Sequence, residues 1–202
     1  MSIVKTVAEL DAIYGETSEA SLIKVSGRLT AGYRRLIEAS PIVALATCGP
    51  EGLDCSPRGD PGTVMSIVDD RTLVLPDRRG NNRIDSLRNI VRDGRVALLF
   101  LIPGSNTTLR INGRAEISVD PKLLGSLAME GKLPRSAIVV SVGEIYFQCA
   151  RALMRARIWD QAAWPDVSDL PTPGSLMREL KQDFDSLTYD RDWPERAKNS
   201  MW

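Results

Sequence analysis

Three polar stretches between Asp54 and Arg114 hold the residue types of this chain best suited to ligand chemistry. The first runs Asp54-Cys55-Ser56-Pro57-Arg58-Gly59-Asp60-Pro61-Gly62. In an extended backbone Asp54, Ser56 and Arg58 share one face. The Gly59-Asp60-Pro61-Gly62 turn lets backbone N–H groups come close to a ligand. The second, Pro76-Asp77-Arg78-Arg79-Gly80-Asn81-Asn82-Arg83, leads into a helix N-terminus. Open amides and the positive end of the helix dipole favour an anion there, and guanidinium forks grip phosphate bidentately. Cations at that end oppose the dipole, so their presence makes more sense with an anion between them. In the third stretch Thr108, Arg110 and Asn112 alternate with Leu109 and Ile111. Such a polar face hydrogen-bonds the edge of a flat heteroaromatic ring. Each stretch alone also reads as a solvated surface segment. Their combination calls for a planar ligand with an anionic tail.

Composition removes the usual rivals. The chain has no histidine, which excludes Ser-His-Asp and Cys-His nucleophile systems and His-based metal sites. Catalysis must then rest on a cofactor, carboxylates, arginines or cysteine. Cys48, Cys55 and Cys149 are widely separated, with neither metal-ligand nor disulfide-framework spacing. Lys plus Arg and Asp plus Glu both number 26, which argues against a general nucleic-acid or membrane-surface binder. No apolar run approaches the ~20 residues of a membrane-spanning helix. The first eleven residues contain acids and no apolar signal core, so a cytoplasmic protein is the expectation.

The elements that must position these stretches read mostly as strands. Residues 1–29 form an arm or helical extension, with Leu10, Ile13 and Tyr14 as an apolar stripe. Thr30 caps a helix to about Ala39 that buries Tyr33, Leu36 and Ile37. Residues 42–48 and 53–58 make a hairpin about a Gly-Pro-Glu-Gly turn, and 64–68 with 72–75 make a second. Asn82 is placed to cap a helix over 83–92, with Asp85 in the reciprocal capping position and Ile84, Leu87, Ile90 and Val91 as its apolar stripe. Strands follow at 95–102, at 107–119 with a bulge near Gly113, and at 138–149. A short helix follows Asp120-Pro121, another spans 150–158, and a final helix lies near 175–187. Strands in hairpin order, without the βα alternation or GxGxxG of a dinucleotide fold, predict a mainly β (α+β) antiparallel barrel with flanking helices.

Four segments, in this order, carry a family resemblance: S-P-R-G-D-P-G at 56–62, P-D-R-R-G-N-N-R-I-D-S-L-R-N-I at 76–90, L-F-L-I-P-G at 99–104 and L-R-I-N-G-R-A at 109–115. The chain resembles the pyridoxamine 5′-phosphate oxidase-like, FMN-binding split-barrel superfamily, and within it a bacterial subfamily of FMN-dependent flavoproteins. The resemblance covers about residues 30–165. It implies an FMN-binding split-barrel domain at 30–165, between the N-terminal arm (1–29) and a C-terminal helical extension (166–202). It implies phosphate and ribityl contacts from Arg58, Arg78, Asn82 and Arg83, and cofactor contacts from Ser56, Gly59, Asp60, Pro76 and Asp77. Thr108 and Arg110 fall on the strand facing the isoalloxazine, where the arginine would stabilise negative charge on the reduced ring. It further implies a homodimer with each FMN between two chains.

A last segment, Phe147 through Arg155 to Trp159, is similar to the subfamily's F-x-H-C-x-K-A-x-x-R-x-x-x-W. Gln148 replaces the usual His and Arg151 the usual Lys. Gln148, Arg151, Arg155 and Trp159 are thereby candidates for substrate or second-chain contacts. Glutamine hydrogen-bonds but does not titrate near neutral pH. Cys149 reads as a buried small hydrophobe and Trp159 as core. The function expected is an FMN-dependent oxidoreductase acting on a small molecule, without a metal. The alternatives are a flavin carrier or sensor without turnover, and pyridoxamine 5′-phosphate oxidation proper. Haem or a deazaflavin on the same barrel is distinguishable by absorbance.

Overall fold

A computed structural model describes residues 2–201 of the chain; Met1 and Trp202, the outer ends of the two expected extensions, lie outside the described residues. One seven-stranded antiparallel sheet organises the molecule, in the order β2-β1-β5-β6-β7-β4-β3. Its strands are β1 (Ile42–Gly49), β2 (Gly52–Gly59), β3 (Ser66–Ile67), β4 (Thr72–Asp77), β5 (Arg95–Leu101), β6 (Thr108–Ser118) and β7 (Ser136–Gln148). The sheet curls without closing. β2 and the two-residue β3 are its free edges, and β2 carries Pro57 in mid-strand.

Alternation explains the core. Along β1 the inward Val43 and Leu45, along β5 Val96, Leu98 and Phe100, and along β6 Leu109 and Ile111 are buried, as period-two patterning dictates. These side chains fuse with Leu73 and Leu75 of β4 and Ile138, Val140 and Ile145 of β7 into one cluster. The expected bulge is present: the β6–β7 register shifts between Asn112 and Gly113. Gly113 tolerates no side chain there, because a Cβ would stand 2.2 Å from the Ser141 carbonyl oxygen.

The helices beginning at Ala31, Asp85 and Pro121 pack on the sheet. α1 (Val7–Tyr14) and α2 (Glu19–Ile23) form the N-terminal arm, and α3 (Ala31–Glu38) follows. The Thr30 hydroxyl accepts from the Tyr33 amide, capping α3 as expected, and Ile37 is fully buried. α4 (Asp85–Arg92) lies against β1, burying Ser86, Asn89 and Ile90. α5 (Pro121–Ser126) and α6 (Arg151–Ala156) flank β7 in sequence.

Four expectations need correction. α4 begins at Asp85 rather than Arg83, since Asn82 takes a left-handed φ of 61° and its side chain caps nothing in the helix. Val91 lies outside the apolar stripe at 76% exposure, because the buried face of the helix is set by Ser86, Asn89 and Ile90 and Val91 stands about 100° or more around the helix from each of them. The stripe of α1 is exposed, because the helix buries no residue. The single C-terminal helix is two: α7 (Pro173–Leu180) and α8 (Ser186–Ser200), split at 181–185. Gly174 lets them meet, donating its amide to Asp190 Oδ1 at 2.8 Å. No described helix is long and apolar enough to cross a membrane.

Candidate functional site

β2 and β4 lie far apart in sheet order, yet their C-terminal ends converge with the start of α4. Between them is a cavity of about 420 Å³. Arg58 and Gly59 from β2, the run from Pro76 to Ile84, Arg135, and Ser136 at the start of β7 all line it. The two arginine-bearing turns marked in the sequence therefore face each other.

Arg58 is held by a small polar network. Its Nη2 donates to Ser86 Oγ at 3.2 Å and its Nη1 to its neighbour's carbonyl, Pro57 O, at 3.1 Å. Ser86 Oγ donates to Asp54 Oδ2, and Ser56 Oγ lies 3.1 Å from the same hydroxyl. The shared face of Asp54, Ser56 and Arg58 thus converges on one buried serine of α4. Arg58 Nε remains buried with no hydrogen-bond partner. A buried guanidinium donor left unpaired is costly, so the site fits an anion that would accept from it.

Arg78 is engaged differently. Its Nε and Nη2 grip Asp60, the closest contact being 2.8 Å, and its Nη1 donates to Leu127 O at 2.7 Å. The Asp60 side chain is 4% exposed and its own amide donates to Pro41 O. The pair therefore fixes the turn between Gly59 and Val64 to the end of β4. Arg83 points into solvent, its side chain 80% exposed and paired with Asp85. Asn81 Oδ1 accepts the Arg83 amide, an Asx turn that bends the chain ahead of α4. Asn82 Oδ1 accepts from Arg135 at 2.9 Å.

Asp77 is the cavity's other carboxyl group. Burial pushes its pKa above the ordinary carboxylate value, and the nearby Arg58 and Arg135 pull it partly back. No side chain caps α4, because Ile84 occupies the cap position. Its first turn therefore presents a positive dipole end to the cavity.

The remaining candidates stand elsewhere in the chain. Thr108 is buried on β6, opposite Gln148 in the β6–β7 register. Arg110 is exposed and donates to the Tyr146 hydroxyl at 3.2 Å, with its guanidinium 5.9 Å from the Tyr146 ring centre. Arg151 and Arg155 are exposed on α6. Trp159 is half-buried rather than core, its indole N–H donating to Ser105 O at 2.7 Å. Cys149 is exposed, not buried, because it follows β7 where the strand leaves the sheet. None of these residues lines the Arg58 cavity. Ser136 lies in that cavity and Gln148 ends the same strand, roughly 40 Å of contour later at ~3.3 Å per residue. The two groups of candidate residues therefore stand at opposite ends of β7.

Ser86 and Arg135 escaped the sequence reading. Ser86 stands inside the 76–90 motif but on a helical run that gives it no role of its own, and Arg135 reaches the site only through the pairing of Ser136 with Asp77. Among the described residues no cluster of His, Cys, Asp and Glu could hold a metal ion.

Residues 29–149 match the family described as pyridoxamine 5′-phosphate oxidase. The chain belongs to that family. The matched segment includes every residue of the Arg58 cavity and extends to Gln148, leaving Arg151, Arg155 and Trp159 outside it. Solved structures with a similar fold include HupZ of Group A Streptococcus (18% identity over 59% of this chain and 93% of that one, TM-score 0.49). General stress protein 26 of Bacillus anthracis aligns at 16% identity over 56% of this chain and 88% of that one, with a TM-score of 0.44. An FMN-binding protein of Syntrophomonas wolfei aligns at 11% over 71% and 97%, also at 0.44. Identities this low transfer no residue roles. No curated protein matches the chain.

Proposed function

We propose that the protein is an FMN-binding flavoprotein that passes electron pairs between the flavin and a small molecule. The observation that carries this reading is the buried Nε of Arg58, which has no hydrogen-bond partner, on a residue that lines one cavity together with the arginine-bearing turn 78–83. Arg58 would accept the FMN phosphate, with Asn82 and the first turn of α4 completing the cradle. Arg78 and Asp60 would shape the cradle rather than bind, since each already grips the other. Bound FMN would supply hydride chemistry at its ring; the protein would supply orientation and electrostatics.

The ring's polar wall would come from a second copy. Thr108, Arg110 and Gln148 suit a flat heteroaromatic edge but stand at the far end of β7 from Arg58. A two-fold dimer whose axis crosses near the middle of β7 would bring the start of one β7 toward the end of the other, giving two equivalent composite sites.

A second reading, flavin binding without turnover, draws on the lack of any histidine and on Gln148 at a position where the related subfamily carries one. Purified protein should show a flavin band near ~450 nm, with FMN identified by mass spectrometry of the released cofactor. Anaerobic reduction by NADH or NADPH supports the oxidoreductase. Inertness toward nicotinamide, amine and quinone partners supports the carrier. Colourless protein that takes up no FMN rejects both.

A further inference from the structure

Beside the main cavity lies a smaller cleft of about 210 Å³, and Arg78, Arg79 and Arg135 belong to the walls of both. Lys132, Leu133 and Pro134 complete the smaller one. No acidic residue lines it.

The position of Lys132 is set by the chain. Met129 and Lys132 exchange backbone hydrogen bonds at 3.0 and 2.9 Å across a turn in which Glu130 and Gly131 both have positive φ. Two consecutive left-handed residues make a tight hairpin turn, and the buried Pro134 then stiffens the return toward β7. The turn holds Lys132 at the lip. Glu130, at its tip, lines neither cavity.

Charge counting shows what the cleft lacks. Of the cations around the two cavities, Arg78 is matched by Asp60 and Arg83 by Asp85. Arg58, Arg79, Lys132 and Arg135 form no ion pair among the described residues, and Asp77, close to Arg58 and Arg135, is the remaining carboxyl group lining the two cavities. No ion pair or hydrogen bond engages the side chain of Arg79 or Lys132 among the described residues. Asp77 and a phosphate monoester of about −1.5 to −2 charges together leave about 1 to 1.5 of these four positive charges uncompensated. In a chain of zero net charge this concentration is local. The two spaces also share a guanidinium wall, so anions on its two sides would be immediate neighbours.

We propose that the Arg79–Lys132–Arg135 cleft seats a second phosphoryl group next to the first, making the site one for dinucleotide-type, doubly phosphorylated ligands. This rests on the flavin-phosphate reading of the main cavity. The second group arrives either on the same molecule, as in the diphosphate of a flavin dinucleotide, or on a separate nicotinamide dinucleotide that supplies electrons.

Calorimetric titration of the full chain separates these sources and tests both readings. Flavin-free protein is titrated with FMN and with FAD, and FMN-loaded protein with NADP⁺. Lys132 lines only the smaller cleft, so Lys132→Glu is expected to leave FMN affinity within about threefold while weakening FAD or NADP⁺ at least about tenfold. Lys132→Arg should restore the parent value. An effect on FAD assigns the second phosphoryl to the cofactor, and one on NADP⁺ assigns it to the donor. If parent protein binds FMN but Lys132→Glu changes neither FAD nor NADP⁺, or weakens FMN equally, the cleft assignment is overturned and the cofactor reading stands. If the parent binds no FMN, both fall.

Discussion

Arg78 and Asp60 form a two-pronged ion pair, 2.8 Å at its shortest, with side chains only 16% and 4% exposed. It ties the turn after β2 to the end of β4, which are not sheet neighbours. Removing one partner strands a buried charge, so Asp60→Ala should cost about 3–5 kcal/mol of stability. Urea denaturation measures the loss. A midpoint equal to that of the parent would show that the pair is not what holds the two turns together.

Arg58→Ala should weaken FMN about 10–100-fold, the worth of one charged hydrogen-bonding contact. Arg58→Lys should recover little, because a point charge cannot supply the missing Nε donor. Arg83→Ala should change affinity less than about threefold, since Arg83 is solvated and paired with Asp85. Fluorescence titration with FMN gives all three values. Equal losses at both arginines would mean that Arg83 turns inward when ligand binds.

Asp77 makes a pH prediction whose sign follows from burial. Its pKa in the folded protein lies above the unfolded value. The native state therefore favours the protonated acid, and this contribution is fully present below the unfolded pKa and lost as pH rises through the folded one. At neutral pH the buried carboxylate is a cost. Asp77→Asn should raise the melting temperature at pH 7, with a shrinking advantage toward pH 4, and should tighten FMN by removing a negative charge from an anion site. A lower melting temperature at pH 7 would contradict this.

Composite sites can be tested by mixing. Arg58→Ala and Arg110→Ala chains should each hold flavin poorly. Co-refolded in equal amounts, about a quarter of all sites should regain the parent affinity, because each two-fold heterodimer has one intact site. No recovery would place Arg58 and Arg110 in separate functions.

Gly113→Ala should abolish the bulge or the fold. The added Cβ meets backbone, not a flexible side chain, at 2.2 Å. Loss of soluble protein, or a large drop in melting temperature, is expected; an unchanged melting curve would show the β6–β7 register to be adjustable.

Much of this was legible in the sequence because it is local. The Thr30 cap, the hairpin about Gly49-Pro50-Glu51-Gly52 and the break near Gly113 each follow from a few adjacent residues. Motif order in the sequence sets the two arginine turns side by side, and in the structure both line one cavity. What stayed hidden depends on distant contacts. The Asn82 side chain could cap a helix or bond Arg135, and only tertiary structure decides for Arg135. Arg78 and Arg83 look alike in P-D-R-R-G-N-N-R, yet one is locked to Asp60 and the other faces water. The split between α7 and α8 also escaped notice, because Lys181–Asp183 looks like continuing helix surface until Gly174 docks on Ser186 and Asp190.

The two margins of the sheet have a bearing on self-association. β3 is only two residues long, and Pro57 removes an amide from the middle of β2. An incoming strand thus finds no unbroken ladder at either margin. Fibrillar growth by strand addition is discouraged, and any partner copy must join through side-chain surfaces.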